Sequence, residues 1–167
     1  MTLTLILMRH AKSGWDDPMA EDHARTLTDR GERASRAIGT WLRAAGHVPD
    51  LILTSDATRT QKTVAGLCEA LPDAPPVTPL RALYHAAPHM ILRQIGQVKD
   101  ARCLLVCGHN PGIGELAQRM VSNAPDHPRF ADYPTAATTV IACEASDWSA
   151  LRPGRCVDFV IPADLSD

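Results

Sequence analysis

The stretch LTLILMRH, residues 3–10, decides the fold of this chain. Its apolar part is a short run rich in leucine with one isoleucine, which is typical of a strand buried on both faces of a parallel sheet. Arg9 and His10 end the run abruptly, and such polar side chains belong just beyond a buried strand. Ligands bind outside the carboxyl ends of strands in open parallel sheets, so this pair marks the edge where a site is expected.

Length and composition predict one domain spanning residues 1–167. The chain is 45% hydrophobic and 22% charged, which suits a folded domain with its own hydrophobic core. Its net charge of −2 gives no electrostatic reason to expect a nucleic-acid or membrane partner. No apolar stretch approaches the ~20 residues of a membrane span, and the N-terminus does not resemble a signal peptide. Five cysteines, an odd number placed partly in apolar runs, favour reduced thiols in a cytoplasmic protein.

Strand and helix patterns alternate along the chain. Strands are predicted in the apolar runs at residues 3–8, 51–54, 77–83, 103–107, 138–143 and 156–161. Helices are predicted from Asp29 to Ala45, after Ser55-Asp56, from Pro88 and after Asn110-Pro111. Residues 11–27 and 122–137 are long polar loops. This order predicts an α/β fold in three layers, with helices on both faces of a mostly parallel sheet of about six strands.

Capping residues mark the starts of the first two predicted helices. Asp29, with Glu32 three residues later, resembles a capping box in which aspartate replaces serine or threonine. Ser55 and Asp56 are suitable N-caps for the second helix.

Basic residues follow three of the predicted strands. The first strand ends at Arg9-His10, the second at Ser55 with Arg59 on the next helical turn, and the fourth just before His109. If these strands are neighbours, two arginines, two histidines and two helix N-termini converge at one edge. Guanidinium groups and free helical N–H groups both bind phosphate oxygens, so the pattern predicts a pocket for a tetrahedral dianion. It contains no carboxylate, which predicts phosphate chemistry without a metal ion or a cofactor.

One histidine of such a pocket can attack phosphorus if it is neutral and held in one tautomer. His10 is the better candidate, because it lies at the rigid end of the first strand. His109, which precedes a helix, suits a hydrogen-bond donor to the phosphoryl oxygens.

The stretch LMRHAK, residues 7–12, resembles the Arg-His signature of the histidine phosphatase superfamily, with Ala11 where most members have glycine. Together with the following SGWDD it is similar to the short SixA-like branch, whose members resemble phosphohistidine phosphatases. Further similarity lies at residues 25–31, 55–63 and 108–112, in the family's order. The resemblance covers about residues 3–116.

The resemblance implies a phosphoglycerate mutase-like fold and a phosphatase that acts through a phosphohistidine intermediate. In this interpretation His10 becomes phosphorylated, and Arg9, Arg59 and His109 hold the phosphoryl group. The implied substrate-binding residues are Arg25, Ser55 and Lys12. The expected partner is a phosphorylated protein or a small phosphorylated metabolite.

This chain departs from the family at the proton donor. SixA-like relatives often have glutamate after a Leu-Tyr pair, and here that position is His85. Two accounts are open: His85 donates the proton, since histidine has a pKa of ~6.5, or a phosphohistidine substrate needs no strong acid because imidazole leaves more easily than an alkoxide. The acidic loop residues are expected to be solvated, and one of them is a further candidate for the general acid; they are Asp16, Asp17, Glu21 and Asp22.

Three alternative functions use the same residues differently. The first is a phosphatase or mutase acting on a small phosphoester. The second is a zinc hydrolase with His85, His89 and His109 as ligands. The third is a regulator that binds phosphate without turnover.

Overall fold

The computed structural model describes residues 1–15 and 17–165, which form a six-stranded sheet and four α-helices. The strands are β1 (Thr2–Arg9), β2 (Leu51–Ser55), β3 (Val77–Leu80), β4 (Cys103–Gly108), β5 (Thr138–Glu144) and β6 (Arg155–Val160). The helices are α1 (Asp29–Ala44), α2 (Thr58–Ala70), α3 (Pro88–Ile95) and α4 (Gly112–Met120). Short 3₁₀ helices lie at Asp22–Ala24, Arg81–Leu83, Trp148–Ala150 and Pro162–Leu165.

The strand order in the sheet is β3-β2-β4-β1-β5-β6. β1 pairs parallel with β4, and β2 pairs parallel with both β4 and β3, whereas β5 is antiparallel to β1 and to β6. The predicted mostly parallel six-stranded sheet is therefore confirmed. Because β2, β4 and β1 are adjacent and parallel, their carboxyl ends meet at one edge of the sheet.

The side chains of β1 alternate between two hydrophobic layers, as the period of a strand requires. Leu5 and Leu7 join the cluster that contains residues of α3 and α4, and Ile6 and Met8 join the cluster that contains residues of α1 and α2. All four side chains are fully buried. The strand is thus covered on both faces, which confirms the three-layer α/β/α arrangement.

The N-cap of α1 is Thr28 rather than the predicted Asp29. The Thr28 hydroxyl accepts the N–H of Gly31 at 3.1 Å and donates to the carbonyl of Lys12 at 3.3 Å. Thr28 is also tied to Lys12 through its backbone N–H. The contact with Lys12 thereby places the cap one residue earlier than the capping-box pattern indicates, while the helix itself begins at Asp29, as predicted.

The predicted caps of α2 are also wrong. The helix begins at Thr58 with Ala57 at the cap position, and no side chain caps it. The Ser55 hydroxyl accepts the N–H of Ala57 at 3.2 Å, while the Asp56 carboxylate binds His23 at 2.8 Å. Ser55 and Asp56 instead take part in the contacts around the strand end.

The third strand is shorter than predicted. β3 ends at Leu80, and residues Arg81–Leu83 form a 3₁₀ turn. This turn directs Tyr84 and His85 back towards the ends of β2 and β4, where they contact His109.

No helix within residues 1–15 and 17–165 is long and apolar enough to cross a membrane. The five cysteines are free thiols, in agreement with the prediction that they form no disulfide framework.

Candidate active site

The ring of His10 is fixed at the carboxyl end of β1. Its backbone N–H donates to the carbonyl of Gly108 at 3.1 Å, and its carbonyl accepts the N–H of Ala136 at 3.0 Å. The ring Nδ1 lies 2.7 Å from the carbonyl oxygen of Ala11. A carbonyl oxygen only accepts, so Nδ1 carries the proton and Nε2 keeps its lone pair.

The surroundings of His10 keep the ring neutral. Burial and, to a smaller extent, the positive charges of Arg9, Arg59 and Arg25 together lower the pKa of His10 to about 4, against the opposing hydrogen bond to Ala11. At neutral pH the ring is therefore neutral, with an unprotonated Nε2, and it lies close to guanidinium groups. This is the state that a nucleophilic attack on phosphorus requires.

His109 is the second buried histidine of the site, with a ring centroid 5.4 Å from that of His10. Its Nδ1 lies 3.3 Å from a guanidinium nitrogen of Arg59, and its Nε2 lies 2.8 Å from the hydroxyl of Ser55. A guanidinium only donates, so Nδ1 accepts and the proton lies on Nε2. Burial, together with the positive charge of Arg59 and that of His10 once His10 is protonated, lowers the pKa of His109 to about 2.

Arg59 lies on the first turn of α2 and is only 2% exposed. Its Nη1 donates to the backbone carbonyl of Asp22 at 2.6 Å, and its Nη2 donates to the Asp22 carboxylate at 3.0 Å. A second guanidinium, that of Arg9, donates to the carbonyl of Tyr133 at 3.3 Å. Within the described residues, the Nε of Arg9 is buried and has no hydrogen-bond partner. A buried donor without an acceptor is costly, so this atom is suited to a ligand oxygen.

A carboxylate lies in the middle of this basic cluster, contrary to the prediction of a site without one. The Oδ2 of Asp22 accepts from the hydroxyl of Tyr84, from Nε2 of His85 at 3.0 Å and from Arg59. Its Oδ1 accepts from Arg25 at 3.1 Å. Burial acts to raise the pKa of Asp22, but the hydrogen bonds from these four donors outweigh it and hold the pKa well below its usual range.

The expectation that Asp22 is a solvated loop residue is therefore wrong. Its side chain is half-buried, because the loop folds over the ends of β1 and β2. Asp17 and Glu21 are exposed, as predicted, and Asp16 lies outside the described residues.

Arg25 and His85 both join the cluster through Asp22. Arg25 also donates to the Ser13 hydroxyl at 2.8 Å, and its guanidinium lies 3.9 Å from the centre of the Trp15 ring. His85 has a positive φ of 49°, which a side chain adopts only where its surroundings fix it. Its ring centroid lies 4.6 Å from that of His109.

Lys12 is the one predicted site residue that the structure does not bring into this cluster. Its side chain is exposed and lines a neighbouring cleft beside α1. Its backbone carbonyl, in contrast, is bound by Thr28.

The sequence pattern named Asp22 only as one of four candidate acids, and it missed Tyr84. Nothing in the sequence distinguishes Asp22 from the other acidic residues of its loop, and Tyr84 served only to locate His85. The structural signal for both is the single carboxylate oxygen that Tyr84, His85 and Arg59 share.

Residues 1–15 and 17–165 contain no group of three or more histidine, cysteine or acidic side chains that could hold a metal ion. His85 and His109 lie together, but the arrangement does not supply the ligand set of the zinc alternative.

Comparisons with known proteins identify the family of this arrangement. Residues 5–84 match the model of the histidine phosphatase superfamily, branch 1. An uncharacterised protein of Mycobacterium tuberculosis is 37% identical over 165 residues, which cover 93% of this chain and 99% of the relative.

Solved structures of SixA proteins share the fold. The SixA structure from Nakamurella multipartitia superimposes with a TM-score of 0.81 at 28% identity and covers 97% of each chain. A protein histidine phosphatase SixA complexed with tungstate has a TM-score of 0.79 at 20% identity and covers 98% of this chain and 100% of its own. This chain belongs to the histidine phosphatase superfamily, branch 1, and is a phosphatase of its SixA-like group.

Proposed function

We propose that this protein hydrolyses phosphohistidine on another protein, and that His10 carries the phosphoryl group between the two steps of the reaction. The observation that carries the proposal is the bond from His10 Nδ1 to the carbonyl of Ala11, which leaves Nε2 free beside two guanidinium groups. The SixA fold supports the choice of substrate, since one of the similar structures is that of a protein histidine phosphatase.

In the first step, Nε2 of His10 attacks phosphorus and the P–N bond of the substrate breaks. The buried Nε of Arg9 and the Nη groups of Arg59 donate to the phosphoryl oxygens and balance their charge. Arg59 must exchange the Asp22 carboxylate for the phosphoryl group to do so. Arg25 binds the other oxygen of Asp22 and must likewise release it in order to bind the phosphoryl group.

His109 adds a donor to the phosphoryl oxygens when its proton lies on Nδ1. In the free protein that proton lies on Nε2, facing Ser55. A serine hydroxyl both donates and accepts, so Ser55 is able to satisfy Nε2 in either tautomer. We therefore assign Ser55 the role of a positioning residue, which allows His109 to change from an acceptor for Arg59 into a donor for phosphate.

The leaving imidazole takes up a proton as the P–N bond breaks. We assign that proton to His85 in its imidazolium form, which becomes a neutral ring when the proton leaves; its Nε2 lies 3.0 Å from the Asp22 carboxylate and its side chain is about half exposed. In the second step a water molecule attacks the phosphoryl group on His10, the bond to Nε2 breaks, and inorganic phosphate leaves. The proton released by water returns to His85, which balances the cycle.

The test compares synthetic phosphohistidine and phosphoserine peptides of the same sequence, together with a sugar phosphate. We expect the wild-type protein to turn over the phosphohistidine peptide with the highest kcat/KM, and we expect His10→Asn to abolish this turnover while the protein stays folded. A higher kcat/KM on the sugar phosphate would favour the small-phosphoester alternative. Wild-type turnover by His10→Asn would overturn the assignment of the nucleophile.

A further inference from the structure

A second cleft lies beside α1, outside the catalytic cluster. Its cavity measures about 450 Å³, a size common among ligand sites. Its walls are formed by α1, by residues 129–135 of the loop before β5 and by the 3₁₀ helix Pro162–Leu165. The family resemblance implies that Lys12 binds substrate, and the structure places its side chain here.

The charge of this cleft is entirely positive. Its lining residues include Lys12, Arg30, Arg33 and Arg129, and no acidic residue is among them. Arg129 is paired with Asp132 at 3.0 Å, but within residues 1–15 and 17–165 the side chains of the other three form no ion pair or hydrogen bond. The chain as a whole carries a net charge of −2, so the positive charge of this cleft is opposite in sign to the net charge of the protein.

The floor of the cleft is apolar. Ile161 is buried and Leu165 is partly buried, and both line the cleft together with alanines of α1. A cationic rim above an apolar floor fits an acidic peptide segment with an occasional apolar side chain better than it fits a small isolated anion.

Two lining residues of the cleft lie close in the chain to residues that bear on the proposed nucleophile. Lys12 follows His10 by two residues, and Thr135 precedes Ala136, whose N–H donates to the carbonyl of His10. α1 follows β1 in the chain, so its N-terminal turn with Arg30 and Arg33 lies at the same edge of the sheet as the catalytic cluster. A protein whose phosphohistidine reaches His10 is therefore in a position to contact this cleft as well.

We propose that the cleft formed by Lys12, Arg30, Arg33 and Arg129 is a docking surface for an acidic segment of the phosphorylated protein substrate. This proposal rests on the proposed function and names the class of partner: a phosphoprotein that carries carboxylate side chains near its phosphohistidine. The cations act on association rather than on the chemical step, because they contact neither the phosphoryl group nor His10.

The experiment uses two sets of phosphohistidine peptides, one with a short run of glutamates at stepwise spacings from the phosphohistidine and one with glutamines in their place. For the wild type we expect the best acidic peptide to have a kcat/KM about tenfold above its neutral counterpart, mainly through a lower KM. This preference should disappear in about 0.5 M NaCl, where charges are screened over a few ångströms.

The double variant Arg30→Gln/Arg33→Gln should lose the preference and keep the wild-type kcat on the neutral peptide. The matched control is Arg36→Gln/Arg43→Gln, which removes the same charge from exposed positions of the same helix outside the cleft. This control should retain the preference. Equal kcat/KM for acidic and neutral peptides in the wild type, or loss of the preference in the control as well, would overturn the docking proposal.

The unphosphorylated acidic peptide, labelled for fluorescence anisotropy, separates this proposal from the proposed function. If the wild type turns over no phosphohistidine peptide, the proposed function fails, yet salt-sensitive binding of the acidic peptide that Arg30→Gln/Arg33→Gln removes would still support the cleft. Binding of inorganic phosphate at the cleft without binding of the acidic peptide would contradict it.

Discussion

The Nη2 of Arg59 lies 3.0 Å from Oδ2 of Asp22. A carboxylate of the protein itself therefore binds the guanidinium group that we propose as a ligand of the phosphoryl group. The same oxygen also accepts from Tyr84 and His85. Asp22 thus neutralises the cationic cluster before substrate binds, and a phosphoryl group must compete with it.

Removal of this competitor should tighten anion binding. We expect Asp22→Asn to bind tungstate or inorganic phosphate about three- to tenfold more tightly than the wild type, because the variant loses both the ion pair and the repulsion of a dianion. Isothermal titration measures the affinity. Glu21→Gln, an exposed neighbour with the same charge change, is the control and should match the wild type. Weaker binding by Asp22→Asn would show that the carboxylate orients the site rather than competing for it.

Replacement of Arg59 by lysine should impair catalysis although the charge is kept. Lysine cannot reproduce the planar pair of donors, and a hydrogen bond to a charged group contributes about 1.5–3 kcal/mol. We therefore expect kcat/KM for the phosphohistidine peptide to fall by about 10- to 150-fold. Arg81→Lys, at an exposed arginine 4.0 Å from Asp56, should leave kcat/KM unchanged. Full activity of Arg59→Lys would remove Arg59 from the proposed phosphate site.

Loss of the Ser55 hydroxyl should act through His109. Ser55→Ala leaves Nε2 of a buried imidazole without its partner at 2.8 Å, so both the position and the tautomer of the ring are no longer fixed. We expect kcat to fall by about tenfold with a smaller change in KM, and a shift in the pH profile of kcat. Steady-state kinetics across pH tests this, and an unchanged profile would argue that Ser55 only supports the turn at Ala57.

The two buried histidines should make the protein less stable in acid. The pKa of His10 is lowered to about 4 and that of His109 to about 2, against an ordinary value of 6.5 in the unfolded chain. Below pH 6.5 these two histidines are therefore protonated in the unfolded state but not in the folded state. Because the unfolded state binds more protons, the free energy of unfolding decreases as pH falls towards 4. Urea unfolding at pH 7 and pH 5 measures the decrease, which should be smaller in His109→Asn than in the wild type. The opposite order would contradict the lowered pKa of His109.

Gly31 links the start of α1 to the segment after His10. A Cβ at this position would overlap the carbonyl oxygen of Lys12, and the atoms involved are backbone. We expect Gly31→Ala to lower the free energy of unfolding by about 1–3 kcal/mol through overpacking. Gly96→Ala is the control, because its nearest neighbour would lie at an ordinary 3.4 Å. If urea unfolding gives the two variants the same stability, the segment that contains Lys12 moves aside at no cost in free energy, which would contradict this prediction.

The sequence predicts the parts of this protein that follow from buried strands. The apolar runs of β1 and β4 end at Arg9-His10 and at His109, and neighbouring parallel strands bring such ends together. The geometry around Arg59 follows from the same rule, because α2 starts where β2 ends.

The contacts made by loops could not be predicted in this way. The position of Asp22 depends on the path of a loop over the sheet edge, which no local pattern encodes, and one loop aspartate resembles another. Lys12 belongs to the family signature, yet the turn that Thr28 fixes directs its side chain into the second cleft. Thr28 and Asp29 are both residue types that cap helices well, so local sequence does not show which of them is the N-cap. The contact of Thr28 with Lys12, sixteen residues earlier in the chain, selects Thr28.

The central claim is that the phosphoryl group is transferred to Nε2 of His10. The most direct measurement is to quench the protein with alkali during turnover of a phosphohistidine peptide and to examine the phosphorylated chain by mass spectrometry and ³¹P NMR. The account predicts one acid-labile phosphoryl group on His10, attached to Nε2, because Nδ1 is held by the carbonyl of Ala11. Phosphate on Nδ1, on another residue, or on no residue during active turnover would contradict it.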